Sequence, residues 1–174
     1  MDRSAGRCAV IFFIAVALGV LLRCAYQMWP ESVLMLLAPR NDSVWELSKI
    51  ALWPGIAAAL LGHLGYRDKG SLCAYLMVPA AMPVALLFIY WFLHLVCGIA
   101  NGLTDTAIWV CLLALGDAMA LSIRKTAFAK QALFMVCMIL FVWIFAYTLF
   151  SLRTIDLPIF TQMTPQAVMA VIDW

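Results

Sequence analysis

The chain alternates long apolar runs with short polar breaks. Crossing a bilayer as a helix takes ~20 mostly apolar residues, and five runs qualify: 8–26, 44–64, 72–97, 106–123 and 132–152. Between the first two lies QMWPESVLMLLAPR, whose apolar core at 33–38 is too short to cross. Pro30 suits the first position of a helix, so 29–39 is expected to be a short external half-helix, interfacial or re-entrant. The pattern predicts an all-α fold, an integral membrane bundle of about five transmembrane helices in a single domain over 1–174. The tail at 153–174 carries Leu157, Ile159, Phe160, Val168 and Val171 and is expected to lie on the external mouth of the bundle.

Details inside the runs sharpen this picture. Arg3 and Arg7 precede the first run as in a signal peptide, but it ends in RCAYQMW with no small-x-small site. It is expected to be retained as the first helix. Pro79 and Pro83 fall one turn apart in the third run, where they are expected to kink it. Pro54 and Gly55 adjoin in the second. The fifth run has no ionisable residue and no evident polar stripe, so it reads as a lipid-facing wall. Gly116 and Ala120 have the small-xxx-small spacing that lets helices approach closely.

Orientation follows from the basic residues of the short loops. Arg3 and Arg7, then Arg67 and Lys69, then Arg124, Lys125 and Lys130 all fall on one side of a five-helix path. The other side holds only Arg23, Arg40 and Arg153. The basic side is therefore expected to be cytoplasmic, with the N-terminus inside and the C-terminus outside.

Composition agrees with a membrane class. The chain is 67% hydrophobic and 11% charged, against roughly 25% charged in soluble domains, and its mean hydropathy is +1.03. A net charge of +2 with no basic stripe gives no reason to expect nucleic acid. The expected setting is the cell (inner or plasma) membrane, with the lipid bilayer as constant partner. The six cysteines form no CxxC pair and mostly fall in apolar runs, as inert buried thiols do. A Cys24–Cys97 bridge near the outer face stays open, because spacing alone cannot establish it.

The polar residues gather at the outer ends of the helices. Glu46 and Lys49 lie in the first turns of the second helix, His94 near the end of the third and Asp105 just before the fourth. Asp42, Trp45, Glu46, Lys49, Trp91, His94 and Asp105 are candidate ligand-binding residues of an outward-facing polar pocket. Trp29, Trp45, Trp91 and Trp109 would rim it. Each also has a plainer reading. Ser43-x-x-Glu46 is a capping box, with Ser43 as the helix cap. Glu46 favours the positive end of the helix dipole. Lys49 can pair with it at i,i+3 or snorkel outward. Tryptophans form interface belts. Asp117 is an intramembrane carboxylate, which costs roughly 2.5–3.5 kcal/mol on insertion scales. It is expected to face the interior with a partner or to serve a substrate or proton path. The two histidines fall on opposite sides, so no metal site is expected. Nor is any cofactor, since GxSxG, HExxH, the P-loop and a strand-bound GxGxxG are all missing.

The block NDSVWELSK resembles an uncharacterised family of small bacterial polytopic membrane proteins. Their signature is N-[DE]-S-[IV]-W-E-H-x-K at the start of a membrane helix. Asn41, Asp42, Ser43, Val44, Trp45, Glu46 and Lys49 match it, whereas Leu47 stands where the family usually has histidine. Trp53-Pro54, Pro79, Tyr90, Thr104-Asp105 and LPIFTQMTP are similar more loosely. The resemblance implies a multi-pass membrane fold and assigns no activity.

Three functional readings remain. The first is a small multi-pass membrane protein that binds or helps transport a small-molecule ligand through the outward pocket. The second is an accessory or structural subunit that joins a membrane-protein partner or homo-oligomer, with Gly116, Ala120 and the fifth helix as docking faces. The third is a membrane-embedded enzyme using Glu46, His94 and Asp105 as acid–base groups.

Overall fold

The computed structural model describes residues 3–29, 34–39, 43–68, 70–99 and 101–152. Pro30, Asn41, Asp42, Lys69 and the tail at 153–174 lie outside the described residues. In chain order the helices are α1 (Arg3–Met28), α2 (Leu34–Leu37), α3 (Val44–Tyr66) and α4 (Ser71–Trp91), the last continued by a π-helical turn at Phe92–Val96. Then come α5 (Gly102–Ile123), α6 (Ala127–Gln131) and α7 (Leu133–Leu152). Among the described residues there is no strand. α1, α3, α4 with its π turn, α5 and α7 are each long and apolar enough to cross a membrane. The fold is the expected all-α, multi-pass membrane bundle.

Local chemistry moves several boundaries. α1 begins five residues before the expected 8 and takes in Arg7, because straight-chain residues tolerate a helix even where they leave the apolar slab. α5 begins at Gly102, four residues early. Asn101 caps it by accepting a hydrogen bond from Leu103 N–H at 3.1 Å. Asp105 therefore sits inside the first turn of α5 and not ahead of it. The third expected helix is regular only to Trp91. Of the half-helix expected at 29–39, a single turn at Leu34–Leu37 is helical among the described residues. The loop after α5 holds the unforeseen α6, capped by the Thr126 hydroxyl on Ala129 N–H at 3.3 Å.

α3 and α4 form the centre. Of their most apolar stretches 61% and 56% is buried, against 17% for α1, 22% for α5 and 17% for α7. Small residues allow this. A Cβ on Gly55 would lie 2.7 Å from Pro79 Cβ, and one on Gly62 would lie 2.9 Å from the Tyr75 ring. On the flanks, Gly19 receives the Trp109 ring and Gly116 receives Val78. Gly116 is thus spent on the α4–α5 contact inside the chain, and Ala120 one turn on is buried. α4 stays helical through Pro79 and Pro83. In the turn before Pro83, the Ala80 carbonyl accepts a hydrogen bond from Trp143 Nε1 of α7 at 3.0 Å.

Arg7, Arg124, Lys125 and Lys130 share one end of the bundle. Arg7 Nη1 donates to Gly65 O at 2.8 Å, so the start of α1 meets the end of α3. Arg124, at the end of α5, pairs with Asp68 in the α3–α4 turn and lies 4.1 Å over the Tyr66 ring. His63 Nδ1 reaches Ser71 Oγ at 3.0 Å across the same turn. Glu46, Lys49, His94 and Asp105 all belong to the opposite end.

The close α3–α4 approach is testable. Gly55→Val should lower unfolding stability in detergent by about 1–3 kcal/mol, the usual cost of overpacking. Gly65→Ala, where nothing lies within 4 Å of the new Cβ, should leave stability unchanged or raised by up to ~1 kcal/mol, following helix propensity. Thermal or denaturant melts of the two variants check this.

Candidate functional site

The start of α3 sets the first polar cluster. Ser43 adopts an extended backbone and its Oγ accepts from Glu46 N–H at 3.3 Å, as the capping reading requires. This cap turns Glu46 and Lys49 onto one face of the first two turns. Lys49 Nζ lies 2.7 Å from both carboxylate oxygens of Glu46. It also donates to Ser151 Oγ at 2.6 Å and to the Met35 carbonyl at 3.3 Å. An ammonium has three donors, and Glu46, Ser151 and Met35 occupy them. The Lys49 side chain is 0% exposed, so snorkelling is ruled out.

The cluster continues along α7. Ser151 Oγ donates to the Tyr147 carbonyl at 2.5 Å. Tyr147 and Ser48 hydroxyls lie 2.7 Å apart, and Ser48 Oγ donates to the Trp45 carbonyl at 2.6 Å. Tyr147 therefore donates in the Tyr147–Ser48 bond. The Tyr147 ring lies 5.6 Å from Trp143 and 4.9 Å from Trp45. Sequence reasoning took α7 for a featureless wall. Yet Trp143, Tyr147 and Ser151 recur every four residues and form one helix face, which is a polar stripe among apolar residues. That periodicity was the available signal.

The second cluster joins the end of α4 to the first turn of α5. Tyr90 and His94 stack at 5.9 Å, and His94 Nε2 meets Asp105 Oδ1 at 2.9 Å. Tyr90 OH donates to the Asp105 carbonyl at 2.8 Å. A carboxylate only accepts, so the proton of the His94–Asp105 bond is on Nε2. His94 Nδ1 is buried with no partner among the described residues. The π turn holds His94 here. Cys97 N–H closes it on the Phe92 carbonyl at 3.2 Å, and the chain leaves through Gly98 at φ +66°. A left-handed glycine is a common helix exit, and π turns inside α-helices are frequent at functional sites.

Between α3, α4 and α7 runs an apolar groove of about 460 Å3, lined by Val44, Trp45, Val84, Leu87, Phe88, Trp91 and Trp143. Val84, Leu87, Phe88 and Trp91 form one face of α4 at i, i+3, i+4 and i+7.

The expected site residues thus fall into three settings. Glu46 and Lys49 come together in a buried knot on α3 and α7. His94 and Asp105 come together between α4 and α5. Trp45 and Trp91 line the groove, and Asp42 lies outside the described residues. Of the expected tryptophan rim, Trp29 and Trp91 are exposed, whereas Trp45 and Trp109 are core. Asp117 is buried among the α5 core positions, as expected of an interior carboxylate, and its Oδ2 has no hydrogen-bond partner among the described residues. Its main-chain carbonyl faces the Cys8 thiol at 3.8 Å. Cys24 and Cys97 are both exposed free thiols. No group of three or more His, Cys, Asp or Glu able to hold a metal occurs among the described residues.

No family model, curated protein or solved structure matches the chain.

Removing one member of the buried ion pair leaves the other charge stranded, which typically costs 3–5 kcal/mol. Lys49→Met and Glu46→Gln should each destabilise the fold strongly. The double variant should recover much of the loss, and a double-mutant cycle of unfolding free energies in detergent reads that recovery.

Proposed function

We propose that the chain binds, or helps to transport, a small amphipathic solute within the cell membrane. The observation that carries this reading is the groove on α3, α4 and α7. Its volume of about 460 Å3 falls within the ~300–1,000 Å3 typical of small-molecule sites. Three indoles, Trp45, Trp91 and Trp143, supply broad rigid apolar surface, and with Trp143 Nε1 committed to the Ala80 carbonyl it is exposed Trp91 that offers a polar edge, which suits a molecule with an apolar body and a polar end. The sequence suggested a polar pocket built on Glu46 and Lys49. With all three Lys49 donors occupied, that pair serves better as the lock that positions Trp45. On this reading the groove opens at the external end, the basic end faces the cytoplasm, and the chain belongs with the bacterial membrane proteins whose signature 41–49 resembles.

A second reading rests on His94. A histidine oriented by a carboxylate through Nε2, with Nδ1 uncommitted, is a general acid–base arrangement. It favours an enzyme acting on a lipid-linked substrate, and Glu46 has no part in it.

Native mass spectrometry of protein purified in mild detergent separates these readings. The expected result is an apolar or amphipathic small molecule bound one to one, lost in Leu87→Trp, which fills the groove. Trp91→Ala should weaken its retention about tenfold or more. An empty groove, or a ligand indifferent to both substitutions, overturns the proposal. A ligand that is chemically altered by wild type but bound intact by His94→Ala supports the enzyme reading.

A further inference from the structure

A second cavity opens at the basic end, far from the groove and independent of it. It holds about 360 Å3 and is lined by Asp68, Gly70, Arg124, Lys125 and Lys130. At ~30 Å3 per molecule of liquid water, that is room on the order of ten waters. Three cations face a single carboxylate. Asp68 is already committed to Arg124, so the charges of Lys125 and Lys130 are left without compensation from the lining. Arg124 is held in place by its stack on Tyr66 and is 11% exposed. Its Nε has no acceptor among the described residues. The backbone shapes the floor, because a Cβ on Gly70 would collide with the Arg124 carbonyl oxygen.

The surface at this end of the bundle selects among anions. Leu64, Phe128 and Leu133, at the same ends of α3, α6 and α7 as the cavity, are exposed apolar side chains. Apolar side chains next to a basic cavity at a helix end match the boundary where the hydrocarbon of a bilayer meets its headgroups. A ligand that satisfies both parts has a negatively charged phosphate and attached acyl chains. Clustered Lys and Arg beside membrane helices attract anionic headgroups, and arginine matches phosphate through its planar fork of donors. We infer that the cavity formed by Gly70, Arg124, Lys125 and Lys130 is a binding site for the headgroup of an anionic phospholipid. α6, seated by the Thr126 cap, presents Lys130 to the headgroup and Phe128 to the chains.

The test uses delipidated full-length protein in detergent. Phosphatidylglycerol or phosphatidylcholine of identical chains is added and read by native mass spectrometry and thermal melting. The expected result is at least tenfold preferential retention of phosphatidylglycerol with a rise in Tm. Lys125→Gln/Lys130→Gln should abolish that preference without lowering the Tm of the lipid-free protein, since both side chains are exposed. Equal retention of the two lipids overturns the inference. So does a preference that survives in the double variant. Displacement of phosphatidylglycerol by millimolar inorganic phosphate also overturns it, by assigning the cavity to a free anion. Should the glutamine pair fail to fold, Lys130→Ala alone, at the cavity rim, must still reduce the preference.

Discussion

Lys49 is a charged side chain with no exposed surface in a chain built for hydrocarbon. Desolvating an ammonium costs several kcal/mol even after relaxation, so every group around it must be placed to offset that cost. The Ser43 cap fixes where α3 begins and therefore where Glu46 and Lys49 point. Glu46 supplies the countercharge, Ser151 brings in the last turn of α7 and the Met35 carbonyl brings in α2. Three elements, one of them 102 residues away in sequence, are tied at one nitrogen. Trp45, between the cap and the pair, is thereby fixed against Trp143 and Tyr147 as one wall of the groove.

α4 divides the molecule. One of its faces packs on α3 through Gly55 and Gly62, a second lines the apolar groove, and a third carries Tyr90 and His94 toward Asp105. A single helix serves three neighbours because its glycine-matched contact with α3 is close enough to leave its other sides free. The π turn then re-aims its last residues, setting His94 on α5 and ending the helix at Gly98. At the other end the same helix begins beside the basic cavity, so the two candidate binding regions are opposite ends of one rigid element.

The sequence made the class, the helix number and the polar residues legible. The five spans could be read because bilayer thickness imposes a length that composition must match. The Ser43 cap and the Glu46–Lys49 pairing could be read because they depend only on neighbours within one helical turn. Boundaries were less legible at α1 and α5, where caps and arginine tolerance extend helices beyond their apolar cores. The third helix hid its π turn, since nothing in FLHLV marks a change of hydrogen-bond period. The convergence of Glu46, Lys49, His94 and Asp105 on one pocket was drawn from their shared depth in the membrane. Depth says nothing about azimuth: Lys49 bonds toward α2 and α7, whereas His94 bonds toward α5.

By itself, the sequence determined an all-α multi-pass membrane protein with its polar residues sorted to helix ends, because hydrophobic length and local capping are properties of contiguous residues. Only the tertiary structure decided that Lys49 is a sealed lock, that Trp143, Tyr147 and Ser151 form a polar stripe inside an apolar wall, and that Gly116 is consumed within the chain. Those outcomes depend on which helix faces which. That choice is settled by glycine-sized gaps and by buried charges finding partners far along the chain.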